Sequence, residues 1–191
     1  MNRVLWAGVC SLMVSASIAQ GENPVVIMET SMGTIKIELY EDKAPITVKN
    51  FLNYVDKRHY DGLIFHRVIE DFMIQGGGYD ADGKEKKTDP PIKNESANGL
   101  KNERGTLAMA RTNSPDSATS QFFINAKYND FLDKAKARDG VGYCVFGQVI
   151  EGLEVVDKIR KAKTKEFNGR EAWPEEVIVI KSIKRLEKPK N

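Results

Sequence analysis

The side chains that could do acid–base, nucleophilic or metal chemistry are few in this chain, and they are poorly spaced for it. There are two histidines, His59 and His66. His59 falls in a turn region and is expected to be solvent-exposed. His66 alternates with Arg67 along a strand, so the two are expected on opposite faces. No acidic or serine partner stands at a spacing that suggests a triad. No Cys/His cluster has zinc spacing. Gly76-Gly77-Gly78 is not a G-x-G-x-x-G pattern and opens no helix, so it reads as room for a sharp turn or a close backbone approach. What remains is Arg67, set within the apolar stretch from Phe65 to Gly78. A guanidinium cannot shed its charge, so an arginine buried there must be paired or used. Taken singly, Phe72 and Phe123 read as core, Gln75 and Gln121 as rim, and Arg67 as a surface ion pair. Taken together on strands, they could line an apolar groove with one fixed cation and two amides.

The elements that must position these residues can be read from the hydrophobic pattern. Val25 to Thr30 is a β-branched strand, and Ser31-Met32-Gly33 is a turn. Thr34 to Tyr40 alternates, with Ile35, Ile37 and Leu39 on one face, which is the mark of a half-buried antiparallel strand. Val48, Phe51, Leu52 and Val55 recur at helical spacing behind Pro45, so a helix starts there and ends near Lys57. Phe65–Ile69 and Phe72–Gly76 form a hairpin around Glu70-Asp71. Further strands are expected at Thr106–Ala110, Gln121–Ile124, Cys144–Ile150 and Val177–Ile183. Leu153, Val155, Val156 and Ile159 mark a second helix. Residues 79–104 form a long polar loop, a kind that is usually functional or mobile. Its Asn94-Glu95-Ser96 matches a glycosylation sequon. About eight short strands and two helices argue for a sandwich or for a closed barrel whose open ends are covered by helices.

Composition narrows the class. The chain has 191 residues, 29 basic and 27 acidic, with net charge +2. That suits one domain and leaves no electrostatic footprint for nucleic acid. The N-terminus differs in kind. Asn2-Arg3 precedes an apolar run from Val4 to Val14, and Ser17-Ile18-Ala19 fits a small-residue cleavage site before Gln20. This is the layout of a secretory signal peptide over residues 1–19, leaving residues 20–191 as the domain. No later apolar run approaches a membrane span. Cleavage would leave Cys144 as the one cysteine, and its apolar neighbours make it a buried thiol rather than a nucleophile.

The residues themselves go further than the spacing. Phe65-His66-Arg67-Val68-Ile69 followed by Phe72-Met73-Ile74-Gln75-Gly76-Gly77 closely resembles the signature of the cyclophilins, the cyclosporin-binding peptidyl-prolyl cis/trans isomerases. Met109-Ala110 with Ser120-Gln121-Phe122-Phe123-Ile124 is similar to the second block of the family. Phe131-Leu132-Asp133 and Val145-Phe146-Gly147 are similar to its third. The resemblance runs from about Val25 to Leu186, and the leader and the loop around Lys86 to Asn98 look most like the periplasmic bacterial branch. It implies a mainly all-β fold, a closed eight-stranded antiparallel β-barrel capped by two α-helices. It implies that Arg67 is the catalytic arginine and that Phe72, Met73, Phe123 and Leu132 wall a proline pocket. Gln75, Ala110 and Gln121 would meet the substrate backbone. Phe131 stands where many members carry Trp, so cyclosporin inhibition is expected to be weak. Tyr143 stands where many carry His and would cap the pocket. The implied partners are unfolded or partly folded proline-containing polypeptides, met in the periplasm by a monomer that uses no cofactor. A proline-binding or holdase module without turnover is the rival reading. A third is a surface-binding protein whose partner docks on loop 79–104.

Overall fold

The computed structural model describes residues 22–187. The expected leader and the charged end past Glu187 lie outside the described residues. In order, the elements are β1 (Val25–Thr30), β2 (Gly33–Leu39), α1 (Pro45–Asp56), β3 (Phe65–Ile69), β4 (Met73–Gly76), β5 (Thr106–Met109), β6 (Phe122–Asn125), β7 (Val145–Glu151), α2 (Leu153–Arg160), β8 (Thr164–Phe167), β9 (Arg170–Pro174) and β10 (Ile180–Arg185).

Eight strands form one curled sheet in the order β10-β1-β2-β7-β5-β6-β4-β3. All its pairings are antiparallel. Its two end strands meet at a bridge between Ile64 and Val179. There the Phe65 N–H donates to the Ile178 carbonyl (3.0 Å), and the Ile180 N–H to the Leu63 carbonyl (2.7 Å). The sheet thus closes on itself, which removes the exposed edges a flat sheet would offer to other chains. The expected barrel is found.

Strand alternation decides what fills it. Ile35, Ile37 and Leu39 of β2, Leu107 and Met109 of β5, Phe122 and Ile124 of β6 and Phe146 of β7 belong to one buried core. Helix α1 adds Phe51, whose ring lies 5.2 to 5.7 Å from those of Tyr60, Phe122 and Phe146. Helix α2 adds Val155, Val156 and Ile159.

Three features differ from the sequence expectation. The hairpin β8–β9 was not anticipated. Its strands carry polar residues with no clean alternation, yet Asn168-Gly169 turns it with φ of 52° and 75°. Asn-Gly is the pair that a tight hairpin favours. His59 is buried, not exposed, at 7% relative accessibility. It packs against Tyr54 and Tyr60 with centroids 4.6 and 5.5 Å away. Burial pulls its pKa down to about 4. The long loop 79–104 is tied to α1. Ala44 provides no side-chain cap. Instead the Glu95 carboxylate accepts from the N–H groups of Ile46 (3.1 Å) and Thr47 (2.8 Å) and from the Thr47 hydroxyl (2.7 Å). A carboxylate at this end of a helix meets both the unpaired donors and the positive end of the dipole. The Lys86 ammonium donates to the His59 carbonyl at 2.6 Å, which pins the loop again.

Candidate active site

The register of β3 against β4 sets up the site. Phe65 pairs with Gly76 and Arg67 with Gln75, so His66 is an extra residue. This is a β-bulge, which bends a strand and re-aims its side chains. Phe65 and Val68 both enter the core. With two residues between them instead of one, His66 and Arg67 both point away from it. The expectation of opposite faces is corrected, because simple alternation holds only for an unbulged strand. His66 runs under the β8–β9 hairpin, 4.7 Å from the Tyr79 ring and 6.3 Å from Trp173. Arg67 is exposed rather than buried. Its Cζ lies 5.8 Å from the centroid of Phe72. Among the described residues it has no ion-pair partner.

The same alternation that fills the barrel leaves an apolar patch outside it. Met73 of β4, Ala108 of β5, Phe123 of β6 and Val145 of β7 point outward and form a second buried cluster with Leu132. Leu132 comes from a single 3-10 turn, Asp130–Leu132. A buried polar network holds that turn. Asn129 Nδ2 donates to the Phe72 carbonyl (2.8 Å) and to Asn125 Oδ1 (2.7 Å). The Asn102 N–H donates to Asp133 Oδ1 at 2.7 Å. Phe72, Ala110 and Tyr143 pack on the rim of the cluster.

A cavity of about 110 Å³ opens there, lined by Arg67, Phe72, Met73, Gln75, Ala110, Arg111, Phe123, Leu132 and Tyr143. Eight of these nine were expected from the sequence. Gln121 is one step back, accepting from Gln75 Nε2 at 2.9 Å while its carbonyl accepts from the Ala110 N–H at 3.0 Å. The glycine run makes room for it: a Cβ on Gly78 would lie 2.6 Å from the Gln121 amide. Gly77 takes φ of 84°, a conformation only glycine adopts freely. Phe131 stands outside the cavity, half exposed, with its ring 5.5 Å from Phe72. The site is therefore a small apolar cup with a cation at its rim and two amides beside it. It has no base aimed at a nucleophile.

A family profile described as "Cyclophilin type peptidyl-prolyl cis-trans isomerase/CLD" matches residues 25–185. The chain belongs to the cyclophilin family and is a peptidyl-prolyl cis-trans isomerase. It is 55% identical over 161 residues to the "Peptidyl-prolyl cis-trans isomerase" of Acinetobacter baylyi, covering 84% of this chain and 85% of the relative. It is 49% identical to "Peptidyl-prolyl cis-trans isomerase A" of Dickeya dadantii, over 98% of this chain and 99% of that one. Among solved structures, a cyclophilin-type isomerase of Cryptosporidium parvum superposes with a TM-score of 0.72 at 28% identity, covering 87% of this chain and 99% of its own. The same protein crystallised in the presence of the dipeptide Ala-Pro gives 0.71 at 28% identity, covering 86% and 99%.

In this cyclophilin one cavity residue was missed by sequence reasoning. The Arg111 side chain is only 3% exposed. Its Nε and Nη2 donate to the Gly142 carbonyl at 3.1 and 2.9 Å, and it forms an ion pair with Asp139. Its Cζ sits 4.3 Å from the Tyr143 centroid. Backbone N–H groups of Gly142 and Val141, followed by Arg111 itself, hold the Asp139 carboxyl down to about 2. Arg111 thus fixes the chain that presents Tyr143, and Tyr143 makes an edge contact with Phe123 at 5.8 Å. No spacing signal pointed to it, since its partners lie 28 and 31 residues away. Cys144 is buried as expected, and burial pushes its thiol up to about 11.

Proposed function

We propose that this cyclophilin turns over X-Pro bonds in unfolded or partly folded polypeptides outside the cytoplasm, with Arg67 as the catalytic residue. Amide resonance sets a rotation barrier of about 18–20 kcal/mol. At X-Pro both isomers are populated, and they exchange over tens to hundreds of seconds. No nucleophile, acid or base is required. The enzyme has to bind the twisted amide better than either planar form. The prolyl ring would sit in the cup of Met73, Phe123 and Leu132, with Phe72 and Tyr143 at its sides. Gln75, Gln121 and the backbone at Ala110 would hold the substrate chain. On twisting, the prolyl nitrogen regains a lone pair, and a guanidinium N–H directed at it favours the twisted state. A hydrogen bond to a charged group is worth roughly 1.5–3 kcal/mol, or about one to two decades in rate.

The observation that carries this reading is the unpaired Arg67 guanidinium beside Phe72 at the rim of an open apolar cavity. The extracytoplasmic setting rests on the leader layout of residues 1–19, a stretch that the Dickeya match, over 98% of this chain, extends across.

The test is the refolding of an unfolded protein whose slow phase is X-Pro isomerisation, followed with and without the chain from Gln20 onward. The slow phase should accelerate in proportion to enzyme concentration. A delayed or unchanged slow phase, with the client held, would replace turnover by a holdase function. Sequencing the N-terminus of the exported protein should return Gln20. Retention of Met1 in a cytoplasmic fraction would remove the periplasmic assignment.

A further inference from the structure

Beside the proline cavity lies a second, more open groove of about 540 Å³. It shares Arg111, Leu132 and Tyr143 with the cavity and continues past Phe131 to Arg138 and Asp139. Arg67 and Gln75 line the cavity but not the groove. In the pose proposed above, the residue before proline would lie over Arg67 and Gln75. The chain after the prolyl carbonyl would then leave across the shared wall of Leu132 and Tyr143, where the groove opens.

The groove has a definite charge. Arg111 and Asp139 neutralise each other as an ion pair. Arg138 is exposed and, among the described residues, has no partner. The backbone carrying it is fixed. The Ala137 N–H donates to the Asp133 carbonyl at 2.7 Å and the Gly140 N–H to the Ala137 carbonyl at 2.9 Å. Asp139 Oδ1 accepts from the N–H groups of Val141 and Gly142, each at 3.0 Å. The groove therefore presents one uncompensated cation next to an exposed aromatic ring, Phe131.

We propose that this groove seats the residues that follow proline and that Arg138 selects an acidic side chain there. The proposal rests on the isomerase reading of the cavity and adds a substrate preference to it. An exposed ion pair is a small effect, so the preference should be modest, and it should shrink as salt rises.

The experiment compares kcat/KM for Ala-Pro peptides that carry Glu, Gln or Lys at the first or second position after proline. Each value is normalised to the Gln peptide of the same protein, which cancels any general change in activity. At low salt the Glu peptide should exceed the Lys peptide by about threefold to tenfold, the range that exposed charge pairs allow. Arg138→Glu should invert the order, and about 0.5 M salt should bring both proteins toward a ratio of one. A ratio near one in the wild-type protein, or one unchanged by Arg138→Glu, would overturn the assignment of the groove. No acceleration of any peptide would remove the isomerase reading and this proposal with it. Brisk turnover with no preference removes only the groove.

Discussion

His66 and Arg67 are neighbours in sequence and share the outer side of the barrel, yet they enter two aromatic clusters with opposite characters. His66 lies among Tyr79 and Trp173, where Phe167 stacks on Trp173 at 4.7 Å and Arg170 sits 4.5 Å over Tyr79. The β8–β9 hairpin covers this cluster, and His66 and Trp173 are 4% and 2% exposed. Arg67 is exposed beside Phe72, and Phe72, Leu132 and Tyr143 only partly roof Met73 and Phe123, so a cavity remains. The extra residue in β3 turns His66 and Arg67 to the same outer side, one toward each cluster. One cluster was closed with side chains and became core. The other keeps a cavity and is the candidate site. Apolar chemistry alone does not separate them; what does is whether the protein supplies its own lid.

Substitutions on the two sides should separate stability from activity. The largest effect is expected from Trp173→Ala, which empties the closed cluster and should cost about 3–5 kcal/mol in urea unfolding. The folded fraction should keep its kcat/KM. Phe123→Ala should destabilise by a similar amount and should also remove most turnover, because that ring walls the cavity. If both variants lost activity alike, the closed cluster would be part of the site.

Acid should find the closed side before the open one. Burial first, then the nearby Arg170 cation, holds the His66 pKa down to about 4. Burial and Lys86 hold His59 down to about 4 as well. Both are neutral in the folded state and protonate near 6.5 when unfolded. Their contribution to stability is therefore fully present above pH about 6.5 and is lost as pH falls toward 4, at up to about 1.4 kcal/mol per pH unit for each histidine. Urea midpoints measured against pH should show this slope, and His66→Gln should reduce it by about half. The open side has no such dependence, since a guanidinium keeps its proton. Turnover by the folded enzyme should be level between about pH 5 and 8.

A smaller effect is expected at the rim. Phe131 offers no hydrogen-bond donor where many family members carry an indole. Phe131→Trp should tighten cyclosporin binding about tenfold, the worth of one added hydrogen bond, and should leave Ala-Pro turnover little changed. Competition against turnover would measure it, and an unchanged inhibition constant would contradict it.

The contrast between the clusters also shows what the sequence could reveal. The barrel strands and both helices were legible because their apolar residues repeat at a period of two or of 3.6. Residue types alone grouped Arg67, Phe72, Gln75, Gln121 and Phe123 as a groove, whereas Met73, Ala110, Leu132 and Tyr143 were legible only through resemblance. An outward-facing Met73 or Phe123 looks the same in a sequence as an inward-facing Ile74 or Phe122. The bulge at His66 was hidden because it is a property of two strands in register, not of β3 alone. His59 was misread because α1 and Lys86 bury it from outside its own turn. Arg111 was invisible because its partners reach it only through the fold. The β8–β9 hairpin was the one feature whose signal, Asn168-Gly169, stood in plain view.

On the proposed mechanism Arg67 is held for chemistry and not for the fold. The most direct measurement is cis-to-trans relaxation of an Ala-Pro peptide by Arg67→Ala, taken with the urea midpoint of the same protein. Its kcat/KM should fall by about one to two decades with the midpoint unchanged. Wild-type turnover by a stably folded Arg67→Ala protein would contradict it.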